Sequence, residues 1–288
     1  MIHNIKPSFP LIHIFARQTD VRMSHNNFHL DHIPERQVKP RSHGLTMVMD
    51  KGLSLREAEN FIEGSGNFTD LVKIGFGTSM VTPRLEEKIN LYRDAGMKVY
   101  FGGTLFEAFI ARGAFDDYRR LLDRYKMQNV EVSDGSLMIH EEDKCRYISE
   151  LAKSFEVLSE VGSKEEGILF STNKWLSMME AELQAGSWKV ITESRESGNV
   201  GIYKPNGSAH SMLVKKILKN IDPKDILWEA PQKAQQVWFI NLLGHDVNLG
   251  NISPNEVIAL ETTRLGLRGD TFFNYLPEEL HNRIVQED

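Results

Sequence analysis

Lys39-Pro40-Arg41-Ser42-His43-Gly44-Leu45-Thr46-Met47-Val48-Met49-Asp50-Lys51-Gly52 is the stretch on which the fold turns. Leu45 to Met49 is a short, mostly apolar run, as expected of a strand covered on both faces, and it ends in Asp50-Lys51-Gly52. A buried strand gains nothing by ending in a carboxylate and an ammonium unless that end meets water or a ligand. Several later segments repeat the plan, and a ring of such ends makes a site.

Moving along the chain, strand-like runs alternate with helix-like ones. Leu71-Val72-Lys73-Ile74-Gly75-Phe76-Gly77 reads as the second strand, Lys98-Val99-Tyr100-Phe101-Gly102-Gly103-Thr104 as the third and Val130-Glu131-Val132-Ser133-Asp134-Gly135 as the fourth. Residues 155–162, 188–193, 226–230 and 246–251 complete a set of eight. Ser54 with Glu57 has the spacing of a capping box, Gly64-Ser65-Gly66 ends that helix, Pro83 suits the first turn of the next, and 141–153 is helical. Repetition of strand plus helix at intervals of about thirty residues predicts a single (β/α)8 TIM barrel over residues 39–288, preceded by an extension over 1–38. A doubly wound open sheet is the alternative, but no Gly-x-Gly-x-x-Gly follows the first strand.

The chain has 288 residues, 41% hydrophobic and 26% charged, so it can bury a large core. A net charge of −6 with Lys and Glu interspersed leaves no basic face for nucleic acid, no run is long enough to span a bilayer, and the expectation is a soluble cytoplasmic protein. Cys145 is the single cysteine, which excludes an intramolecular disulfide and a multi-cysteine metal site. His25, His29 and His32 match no ligand spacing, and the extension reads as an arm packing on a neighbour or on the barrel base.

In a barrel, every parallel strand brings its carboxyl end to one rim. Asp50, Lys51, Lys73, Glu107, Glu131, Asp134, Glu160, Lys164, Glu193, Arg195, Glu229 and Asn248 then fall on or near one surface. So many acids repel one another unless cations intervene, and hard oxygen donors without a Cys or His cluster favour Mg²⁺. Asp50, Glu131 and Glu193 are the expected metal ligands. Taken singly, each charge also reads as a rim salt bridge, while Glu131 and Glu193 lie inside apolar strands. Lys73 has three readings: a partner for carboxylates, an anion site, or a Schiff-base lysine. Trp188, Trp228 and Trp238 read as packing residues.

Pro40-Arg41, Gly44-Leu45-Thr46, Asp50-Lys51-Gly52-Leu53, Lys73-Ile74-Gly75-Phe76-Gly77-Thr78-Ser79 and Gly102-Gly103-Thr104-Leu105-Phe106-Glu107 together resemble the phosphosulfolactate synthase family. The likeness continues through Glu131-Val132-Ser133-Asp134-Gly135-Ser136, Glu160-Val161-Gly162, Arg195-Glu196-Ser197-Gly198, Glu229-Ala230-Pro231-Gln232-Lys233 and Val247-Asn248-Leu249 to Gly266-Leu267-Arg268-Gly269-Asp270-Thr271. The resemblance implies a Mg²⁺-dependent (β/α)8 lyase that adds sulfite to phosphoenolpyruvate to give (2R)-3-phosphosulfolactate, an early step towards coenzyme M. Attack of sulfite at C3 puts carbanion character at C2, tolerable only if the neighbouring carboxylate is held by cations and can take a second negative charge.

The same resemblance makes Lys164, after the fifth strand, the proton donor to C2, with Lys73, Glu160 and Arg195 as further catalytic groups. Lys51, Ser197, Gly198, Asn248, Gly250 and Asn251 would bind substrate, the phosphate lying at residues 198–201 or at Gly250-Asn251. The expected partners are the two small anions and a second copy of the chain. Ser163 and Ser194 depart from the family, which carries Lys and Gly there, and both fall on loops assigned to substrate. Two other readings remain at this stage: an imine-forming aldolase or lyase through Lys73, and a barrel with a stress-associated role like that of a plant heat-stress relative.

Overall fold

A computed structural model describes residues 27–162 and 171–281. In chain order the elements are β1 (Thr46–Asp50), α1 (Leu55–Ser65), β2 (Leu71–Ile74), α2 (Leu85–Asp94), β3 (Lys98–Phe101), α3 (Gly103–Ile110), α4 (Phe115–Arg124), β4 (Asn129–Val132), α5 (Glu141–Leu151), β5 (Glu156–Val161), α6 (Thr172–Gln184), β6 (Ser187–Thr192), α7 (Ser211–Ile217), β7 (Ile226–Glu229), α8 (Lys233–Leu243), β8 (Leu249–Ile252) and α9 (Val257–Arg264). The strands form one eight-stranded parallel sheet in the order β3-β2-β1-β8-β7-β6-β5-β4. With β3 and β4 in contact at the remaining seam, this is a nearly closed TIM barrel, as expected.

Every residue of β1, β2, β4 and β7 is buried, because helices cover the outside and opposing strands fill the inside. Pairing of Met49 with Lys73, and of Lys73 with Tyr100, sets one inward-facing row across β1, β2 and β3. The next residue along each strand must point the other way, towards the helices. α1 starts where the capping box predicts: Ser54 Oγ accepts from the Glu57 N–H, and Glu57 Oε2 accepts from the Ser54 N–H at 2.7 Å.

Two expectations shift. Pro83 precedes α2 and does not lie in its first turn, since Arg84 takes φ +54° at the cap. Strands close sooner than the sequence runs imply, and β8 begins at Leu249, leaving Asp246 and Asn248 before it. Residues 32–38, the last part of the expected extension, belong to the unit His32–Asp288. There Arg36 donates to Glu261 at 2.9 Å and to Asp246 at 2.6 Å. Among the described residues no helix is long and apolar enough to cross a membrane.

Candidate active site

Lys73 is the centre from which the site is built. It is 5% exposed, and its Nζ lies 3.0 Å from Glu131, 3.3 Å from Glu160 and 3.4 Å from Glu229. β2, β4, β5 and β7 each contribute one of these four residues at inward positions, so a barrel is required to gather them. Burial works against the ammonium charge, but Glu131, Glu160 and Glu229 outweigh it and hold the Lys73 pKa well above the ordinary lysine value.

Glu131 is fully buried and accepts from the Gly103 N–H at the start of α3. Desolvation pushes its pKa up to about 7, against the pull of Lys73 and with the repulsion of Glu160 and Glu229. Glu193 accepts from the Arg195 N–H, and Glu229 accepts from the Ser194 N–H at 3.0 Å. Carboxylate oxygens of Glu160, Glu193 and Glu229 lie within 4.8 Å of one another, all buried. At an effective dielectric of 20, like charges at that spacing repel by roughly 3 kcal/mol per pair. Lys73 stands beside two of the three, and a divalent cation with hard oxygen ligands fits the set.

Above these acids opens a cavity of about 730 Å³, the size of a small-molecule site. Lys73, Glu160, Glu193 and Glu229 are on its wall, together with Met49, Phe76, Thr104, Ser136, Arg195, Glu196, Ser197 and Asn251. Asn251 takes φ +57° and its buried Oδ1 has no hydrogen-bond partner among the described residues. The loop beyond β6 turns hard against the site, since a Cβ on Gly201 would lie 1.9 Å from the Glu193 carbonyl oxygen. Lys51, at the end of β1, forms an ion pair across the rim with Glu196.

The structure places several of the expected site residues apart from the acid cluster. Asp50 is not with the other acids: one residue past Met49 it faces the helices, where it accepts from Lys88 Nζ at 2.7 Å, from Tyr92 Oη at 2.9 Å and from the Gly52 and Leu53 N–H groups. That carboxylate is filled by its own neighbours and serves to hold the loop carrying Lys51. Glu131 stands behind Lys73, outside the Glu160–Glu193–Glu229 group.

Asn248 is at the opposite end of the barrel. It accepts from the Leu45 N–H and donates to the Lys224 and Ile226 carbonyls, tying strand starts together. Gly250 is inside β8 against Met47 and Leu227, where a Cβ would come within 2.8 Å of Met47 Cε, so its neighbour Asn251 is what reaches the cavity. Lys164 and Ser163 lie outside the described residues. Glu229, counted at the rim but not among the expected site residues, lies with Glu160, Glu193 and Lys73; its position at the end of the apolar run Ile226-Leu227-Trp228 was the available signal. Lys144 gave no such signal. It donates to the Glu160 carbonyl at 2.6 Å and to Asp134 at 2.8 Å, and pairs with Glu182 at 2.7 Å, bracing β5 from behind.

The fold and these residues together define a (β/α)8 barrel enzyme whose cavity floor is acidic. A family model described as (2R)-phospho-3-sulfolactate synthase (ComA) matches residues 34–270, and the chain belongs to that family. It is 39% identical over 251 residues to the phosphosulfolactate synthase of Bacillus subtilis strain 168, covering 86% of this chain and 99% of the relative. With the phosphosulfolactate synthase of Methanothermobacter thermautotrophicus the identity is 42% over 245 residues, 83% of this chain and 95% of the relative. Among solved structures, 3-hexulose-6-phosphate synthase from Salmonella typhimurium superposes with a TM-score of 0.51 at 14% identity, covering 78% of this chain and all of that one, a likeness of fold.

Proposed function

We propose that this enzyme adds sulfite to phosphoenolpyruvate with Mg²⁺, giving phosphosulfolactate, in the cytoplasm. The observation that carries the reading is a cluster of buried acids beneath a cavity rimmed by cations: Glu160, Glu193 and Glu229 converge beside Lys73, while Arg195 lines the wall and Lys51 stands at the rim. Anions entering such a cavity would be repelled unless a divalent cation sat on the carboxylates, so the acidic floor and the anionic substrates require each other.

Glu160, Glu193 and Glu229 would hold the metal, and what Mg²⁺ supplies when bound is positive charge for the substrate carboxylate. Lys73, kept as an ammonium, sets the spacing of Glu160 and Glu229 and adds one more positive charge at the floor. Arg195, Ser197 and Asn251 are placed to take the phosphate oxygens, and Lys51 can exchange Glu196 for an incoming anion. In the reaction a C–S bond forms at C3, the C2–C3 double bond is lost and C2 gains a proton; by the family likeness Lys164 delivers it.

An imine through Lys73 has less support, because an amine must be neutral to attack a carbonyl and three carboxylates hold this one charged. The deciding experiment incubates purified protein with phosphoenolpyruvate, sulfite and Mg²⁺ and identifies products by mass spectrometry. A sulfonated product that disappears with chelator is expected. No product, with a borohydride-trapped adduct on Lys73 from a keto acid instead, would overturn the reading.

A further inference from the structure

Arg195, Glu196 and Ser197 reach the cavity from the segment joining β6 to α7, an excursion with little regular structure of its own. Such a segment places its side chains accurately only if something outside it fixes the backbone. The fixing comes from the first turn of α8. Gln235 is 2% exposed, and its Nε2 donates to the Gly198 carbonyl at 2.7 Å and to the Gly207 carbonyl at 3.1 Å. Its Oε1 accepts from the Gln232 N–H at 3.1 Å, so both donors and the acceptor of one buried amide are used.

Exposed Gln232 adds a bond from its Nε2 to the Ser197 carbonyl at 2.6 Å. Gly198 and Gln235 fit each other closely: Gly198 has φ +65°, and a Cβ there would lie 2.6 Å from Gln235 Nε2. Farther along the same segment, Tyr203 Oη donates to the carbonyl of Glu229 at 2.6 Å. The four bonds that hold this segment all run to residues 229–235, the junction that also supplies the Glu229 carboxylate.

We infer that Gln235 is a positioning residue for anion binding: without being on the cavity wall, it clamps the loop so that Arg195 and Ser197 keep a set distance from Glu229. The substrate part rests on the proposed use of phosphoenolpyruvate; the clamp itself does not. A loop ordered in advance spares the ligand the entropy of ordering it, so the clamp acts on affinity more than on turnover.

Gln235→Met tests this, because Met keeps the volume and removes both donors. In the full-length protein, hydrogen exchange of amides 195–208 should quicken at least about tenfold, and KM for phosphoenolpyruvate should rise about tenfold with kcat within about twofold and the melting temperature close to wild type. Unchanged exchange in the folded variant overturns the clamp. Faster exchange with unchanged KM overturns its role in binding, and so does a loss confined to melting temperature and kcat. Should Gln235→Met not fold, Gln232→Ala replaces it, with faster exchange at 197–199 and a smaller rise in KM expected, and no change in either overturning the proposal. Wild-type protein that neither binds nor turns over phosphoenolpyruvate would remove the functional reading alone, since exchange still decides the clamp.

Discussion

The two ends of this barrel bury similar amounts of charge to opposite effect. At the base, Arg264 is fully buried and donates to the carbonyls of His245, Val247 and Leu45, Arg36 pairs with Glu261 and Asp246, and Arg41 pairs with Asp70 at 3.0 Å. Three arginines there meet three carboxylates, and backbone carbonyls take further donors. At the mouth, Lys73 faces Glu131, Glu160 and Glu229, with Glu193 beside them. A balanced network closes a fold; the acids at the mouth are, under the proposed function, the place where a bound cation completes the charge.

Breaking the mouth should give the largest effect. Lys73→Met is expected to lower turnover by about 10³-fold or more and to cost roughly 3–5 kcal/mol of stability, by leaving buried carboxylates without their cation. Mg²⁺ should restore more of the melting temperature in this variant than it adds to wild type; equal shifts would mean that the carboxylates are not a cation site. Breaking the base should do the reverse. Arg264→Met is expected to lose about 3 kcal/mol in urea unfolding while the folded enzyme keeps its kcat, and a large fall in kcat would erase the distinction between the two ends.

A smaller effect sharpens the metal assignment. Glu193→Gln should weaken Mg²⁺ about tenfold by titration calorimetry, whereas Asp50→Asn, whose carboxylate is taken up by Lys88 and Tyr92, should leave Mg²⁺ affinity near wild type. Equal weakening by both would return Asp50 to the ligand set.

A further effect is a pH dependence. Glu131 is raised from 4.5 to about 7 in the folded protein, so folding binds its proton more tightly than the unfolded chain does. Stability from this group is full below about pH 4.5 and declines as pH rises to about 7. The stability of Glu131→Gln relative to wild type should therefore climb across that window, read from urea midpoints at several pH values. A flat difference would show that Glu131 is ionised throughout.

Much of the barrel was legible because strand length, helix caps and turn chemistry are local. Ser54 and Glu57 cap α1 as their spacing requires, and the apolar runs at 71–74, 98–101 and 226–229 are strands. Facing was not legible. Both sides of these strands are buried, so Met47, Val48 and Met49 show no alternation to say that Met49 looks into the barrel and Asp50 out of it. Nor did any pattern mark Asn248 as belonging to the base, because only the start of β8 at Leu249 decides which end it occupies.

The amino-acid sequence alone determined an alternating strand and helix order, a family likeness and a store of acidic and basic residues near strand ends. Tertiary structure alone decided that Glu160, Glu193 and Glu229 meet, that Asp50 leaves them for Lys88, and that Gln232 and Gln235 at the start of α8 hold the loop bearing Arg195. The reason is physical: propensities and caps act over a few residues, but the sign of the charge around a cavity is a sum over strands far apart in the chain, defined only when closure of the sheet fixes which side of each strand looks inward.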